Sequence, residues 1–63
     1  MTVAEIRQRL EDHINTRLTE LNAIPLTHPS YEPLYKDMYA TIRVCNRIGF
    51  EVCHMGDRYI VLG

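Results

Sequence analysis

Cys53, His54 and Asp57 lie close together near the end of the chain. A thiol, an imidazole and a carboxylate are the parts of an activated nucleophile. This spacing does not assemble them, because adjacent residues on a strand point to opposite faces. Cys45, His13 and His28 add further metal-ligand types. No C-x-x-C or H-x-x-x-H pair brings two of them together. The chain has no glycine-rich phosphate loop, nucleophile elbow or paired carboxylates. At 63 residues it also has little material to enclose a small-molecule pocket, which takes about 300 Å3 or more. The sequence therefore predicts no catalysis, no metal, no cofactor and no small-molecule substrate.

The cations are a better lead. Lys36, Arg43 and Arg47 fall within about 40° of one another on a helical wheel. Ala40 lies beside them and leaves room for close approach, with Tyr39 and Asn46 on the flanks. Arg58 follows near a turn. A basic helix followed by a hairpin resembles the recognition helix and wing of winged-helix DNA-binding proteins. The resemblance covers about the last third of the chain. It implies a DNA-binding transcriptional regulator that uses Lys36, Arg43, Arg47 and Arg58. The chain departs from that pattern in two ways. It has no third helix, and its proline-rich connection exceeds the turn of about 3–4 residues in a helix-turn-helix. The competing reading is a solvated face whose arginines favour a helix C-terminus. A net charge of −1 also argues against an obligate, strongly basic nucleic-acid binder.

Tyr31, Tyr35 and Tyr39 repeat at helical spacing along one edge of the same segment. Tyrosine, methionine and arginine are enriched at protein interfaces. The plainer alternative is that these rings roof a small core with their hydroxyls in water. Arg7 and Arg17 project near the apolar side of the preceding helix. They can snorkel beside Glu11 and Glu20, or pair across a helix–helix interface. Met55, Ile60 and Leu62 complete the expected interface set.

The elements that must position these groups are legible in the chain. Thr2 with Glu5 is a capping-box signature. Val3, Ile6, Leu10, Ile14, Leu18 and Leu21 form a stripe of about 120° on a helix. Pro25 disfavours helix at Ile24, so the first helix is expected over about residues 3–23. Pro25, Pro29 and Pro33 stiffen a loop over residues 24–33. Ser30 is the expected N-cap of a second helix over about residues 31–48, with Gly49 just past its end. Leu34, Met38, Ile42, Cys45 and Ile48 share its apolar face. Residues 49–62 read as a β-hairpin about Gly56-Asp57. A two-residue loop puts Phe50, Val52, His54, Tyr59 and Val61 on one face and Cys53, Met55, Ile60 and Leu62 on the other. A three-residue loop changes the pairing and mixes those sets, so the sequence leaves the register open.

The expected fold is a small single domain of class α+β, two helices followed by a C-terminal β-hairpin. Its expected core joins the two helical stripes, with Phe50, Val52 and Val61 closing one end. The apolar fraction of 46% suits a globular domain. No apolar run reaches the about 18 residues of a membrane span, and no signal-peptide pattern opens the chain. A cytoplasmic location without a membrane partner is therefore expected. There, Cys45 and Cys53 would be reduced thiols rather than a staple. A core this small is commonly supplemented by a partner chain, and both hairpin faces are apolar. The function expected is a non-enzymatic interaction protein of accessory or regulatory type. It would be a homodimer that binds another macromolecule, and its size suits small accessory proteins of bacteria or their viruses. The DNA-binding regulator is the alternative.

Overall fold

The computed structural model describes all 63 residues, Met1–Gly63. Helix α1 spans Val3–Asn22 and helix α2 spans Tyr31–Arg47. Strands β1, Glu51–Met55, and β2, Arg58–Leu62, form an antiparallel hairpin. The expected α-α-β-β order is the observed one.

Local chemistry sets the boundaries. The Thr2 hydroxyl accepts from the Glu5 amide at 3.2 Å. It also donates to the Glu5 carboxylate at 3.2 Å, so the reciprocal contact runs through side chains. Ser30 occupies the N-cap of α2, but its side chain makes no capping bond. Its amide instead donates to Nδ1 of His28 at 3.0 Å, and the Tyr31 amide to the His28 carbonyl at 3.0 Å. The loop histidine thus holds the entry to α2 that Ser30 was expected to hold. At the other end, the Phe50 amide reaches the Cys45 carbonyl at 2.8 Å and the Gly49 amide reaches Asn46 at 3.2 Å. This is a Schellman motif, and Gly49 takes the required left-handed φ of 99°. Gly56, at φ 64°, opens the two-residue turn, as a type II′ turn requires. Pairing of Met55 with Arg58 and of Val52 with Val61 confirms the two-residue register.

The core is narrower than the stripes suggest. Only Ile14, Leu21, Met38, Cys45 and Val61 are buried. Leu10, Leu18, Tyr31, Leu34, Ile42, Phe50, Val52 and Tyr59 pack around them. Val3, Ile6 and Ile48, expected in the core, are 65%, 36% and 55% exposed. The first two extend past the covered part of α1, and Ile48 lies beyond the last turn of α2. Tyr31 and Tyr59 take part in the packing instead. The chain exposes 4550 Å2, where a compact monomer of 7.4 kDa exposes about 4,200 Å2.

Helix α1 also takes the place of a third strand. The Asn15 side chain donates to the Tyr59 carbonyl at 2.9 Å and accepts from the Tyr59 amide at 2.7 Å. One turn earlier, the Glu11 carboxylate accepts from the Val61 amide at 2.9 Å. These groups lie on the edge of β2 turned away from β1. Asn15 therefore satisfies both backbone groups of one edge residue. Asn15→Ala should lower the unfolding free energy by about 1–3 kcal/mol, the cost of stranding half-buried backbone groups. Thr16→Ala, on the exposed side of the same turn, should change it by about 0.5 kcal/mol or less. Urea unfolding of both variants checks this, and equal midpoints would contradict it.

Candidate functional site

A polar clasp joins the helices. His13 Nε2 lies 2.8 Å from Asp37 Oδ2, and Arg17 Nε donates to the same oxygen at 2.8 Å. Arg17 Nη1 donates to both oxygens of Glu20 at 2.9 Å. Arg17 does pair across a helix–helix interface, within its own chain. The Arg17 and His13 hydrogen bonds hold the Asp37 carboxyl below the usual carboxylate range. Arg7 keeps to the α1–β2 seam, where a Cβ on Gly63 would meet its Nη1 at 3.5 Å.

Three of the predicted cations, Lys36, Arg43 and Arg47, share the outward face of α2. Lys36 Nζ is paired with Glu32 at 2.9 Å. Arg58 Nη2 turns towards α1 and reaches Glu11 at 3.8 Å. Arg43 and Arg47 have no carboxylate partner. They line two adjoining shallow troughs on the outward face of α2. One, of about 530 Å3, lies among Tyr35, Lys36, Tyr39, Ala40 and Arg43. The other, of about 210 Å3, lies among Ala40, Arg43, Val44 and Arg47. Arg58, at the hairpin turn, lies apart from that face beside Glu11 of α1.

The tyrosines form a continuous row. The Tyr31 and Tyr35 rings stack at 6.4 Å between centroids, and Tyr35 meets Tyr39 at 4.5 Å. His54 stacks on Tyr59 at 4.5 Å. Hydrogen bonding to Tyr39 pushes the Tyr35 phenol above its usual value. Burial, with Tyr39 beside it, does the same to Tyr59. The row is part roof and part surface: Tyr31 packs on the core, while Tyr35 and Tyr39 are 43% and 38% exposed.

The hairpin divides its side chains as the register dictates. Val61 is buried, with Val52 and Tyr59 packed beside it. The opposite face carries Cys53, Met55, Ile60 and Leu62. Met55 and Leu62 are 57% and 46% exposed, with Cys53 and Ile60 half-buried between them. Cys53 and His54 consequently diverge. Cys45 is buried, and burial pushes its thiol up. No three His, Cys, Asp or Glu side chains gather as a metal site would need. No helix is long and apolar enough to cross a membrane.

Sequence reasoning missed Glu11 and Asn15 as a pair acting on β2, and His13 with Asp37 as a clasp. For Asn15 a signal exists: a poor helix former stands beside the apolar stripe in mid-helix. Compared with family models, curated proteins and solved structures, the chain gives no match.

The clasp predicts an acid dependence. The depressed Asp37 carboxyl adds stability above the ordinary Asp pKa and loses it as pH falls through the folded value. Wild type should melt above Asp37→Asn at about pH 6, with the gap closing as pH falls below the ordinary Asp range. Thermal unfolding against pH reads this, and a gap that persists in acid would contradict it.

Proposed function

We propose that this chain is a non-enzymatic interaction protein, an accessory or regulatory factor that acts as a homodimer. It docks another protein on the outer face of its hairpin. The observation that carries this reading is the apolar row on the outer hairpin face, with Met55 and Leu62 exposed and Cys53 and Ile60 half-buried between them. Glu51 and Arg58 flank the row, giving an apolar centre with a charged rim, the usual anatomy of an interface. The small core and the surface in excess of a compact monomer support the same reading.

A second reading is nucleic-acid binding, favoured by Arg43 and Arg47 without carboxylate partners in adjoining troughs. Lys36 lines the same trough as Arg43 but is paired with Glu32 at the surface, and Arg58 lies beside Glu11, so the electrostatic footprint is small.

The two readings separate experimentally. Met55→Lys with Leu62→Lys alters only exposed positions. It should weaken affinity capture of a nuclease-resistant protein by about tenfold or more, equivalent to about 1.4 kcal/mol. Arg43→Ala with Arg47→Ala should leave that capture intact. Capture that ignores the Met55/Leu62 change removes the docking face. A salt-sensitive gel shift lost on the double arginine change establishes the second reading instead.

A further inference from the structure

The two edges of the hairpin are treated differently. On β2, the outward amide and carbonyl of Tyr59 and the outward amide of Val61 are bonded by Asn15 and Glu11. In an antiparallel pair, residues opposite one another turn outward together. Val52 faces Val61 and His54 faces Tyr59, so the outward groups of β1 are those of Val52 and His54. No other part of the chain bonds them. Natural edges are usually blunted by lysine, proline or a bulge. The Glu51-Val52-Cys53-His54-Met55 strand has neither residue, and its register is unbroken.

We infer that β1 pairs antiparallel with β1 of a second copy, centred on Cys53, to give a four-stranded sheet. This rests on the homodimer part of the proposed function and specifies its geometry. Val52 then lies opposite His54 of the partner, and His54 opposite the partner's Val52. The two hydrogen-bonded pairs contribute four backbone bonds. Cys53 faces its own counterpart, and Glu51 faces the partner's Met55.

Backbone pairing and charge select this register from its neighbours. Sliding the pairing one way sets Val52 against Gly56 of the partner, a turn residue beyond the strand, and forfeits hydrogen-bonded pairs. Sliding it the other way brings the two Glu51 side chains to diagonal positions about 7–8 Å apart. In the centred register they stand at opposite corners, about 14 Å apart along the strands. Each Glu51 then shares a cross-strand row with Arg58 of the partner. The exposed apolar faces of both hairpins merge into one surface.

Sedimentation of the reduced 63-residue chain at micromolar concentration should give twice the mass of one chain. A monomer there would overturn the proposal. His54→Pro removes an outward amide and should yield a folded monomer, with folding checked by circular dichroism. A folded dimer would overturn the edge assignment.

Cysteine crosslinking reads the register without relying on proline. Opposed Cα atoms in a non-hydrogen-bonded pair lie about 4.5 Å apart, within disulfide reach. Oxidised glutathione, which accepts the two electrons, should convert wild type to a covalent dimer. Cys53→Ser should abolish the covalent dimer but not the sedimenting one. In that background, Glu51→Cys with Met55→Cys should crosslink between copies, whereas Glu51→Cys alone should not. Efficient crosslinking by Glu51→Cys alone would overturn the centred register. Mass reads the β1 edge and capture reads the outer face. A Met55→Lys, Leu62→Lys protein that dimerises but captures nothing supports the edge and confines the loss to the face.

Discussion

A two-stranded sheet is all edge. Each strand has one neighbour and leaves a row of backbone amides and carbonyls that must find partners or water. In this chain the row on β2 is bonded by side chains of α1, through Asn15 to Tyr59 and Glu11 to Val61. The match is geometric. Four residues of helix advance about 6.0 Å, and two residues of strand about 6.8 Å. A helical i, i+4 pair can therefore meet alternate residues of an antiparallel strand. The helix does the work of a third strand and fixes the hairpin against α1 at the same time.

Much of the remaining architecture depends on that seam. With β2 held beside α1, Val61 enters the core among Ile14, Leu21, Met38 and Cys45. The next residues along the strand, Ile60 and Leu62, must then point away. The helices meet through that core, and the Asp37 clasp on His13 and Arg17 bridges them at the surface. The tyrosine row of α2 meets Tyr59 and its arginines face outward. Sealing one edge of the hairpin also makes the molecule asymmetric. One strand is finished by its own chain, and the other is not.

The helix limits and the glycine at the end of α2 were legible in the sequence, whereas the hairpin register stayed open between a two- and a three-residue loop until the pairing of Met55 with Arg58 settled it. Each is set by residues within a few positions of one another. Gly49 is the only kind of residue that takes φ 99° without strain. The two-residue Gly56-Asp57 turn fixes which side chains share a face. The candidate site was legible only as sets of residues. Met55, Ile60 and Leu62 were identifiable as one face, but the face turned outward could be known only once the helices had chosen the other. Lys36, Arg43, Arg47 and Arg58 read as one basic group. In the fold, Lys36, Arg43 and Arg47 stay on one face of α2, with Lys36 paired to Glu32, while Arg58 sits apart beside Glu11.

The sequence alone determined the local elements, because caps, turns and hydrophobic period act over one or two turns of chain. Tertiary structure decided which apolar residues are core and which are surface. Val3, Ile6 and Ile48 carry the right period but lie beyond the reach of any covering element. It also decided the fate of the hairpin edges. Asn15 and Tyr59 are 44 positions apart along the chain, and no local pattern pairs one with the other. Only folding brings an amide side chain opposite a strand edge at 2.7 Å and 2.9 Å, where a hydrogen bond becomes worth making.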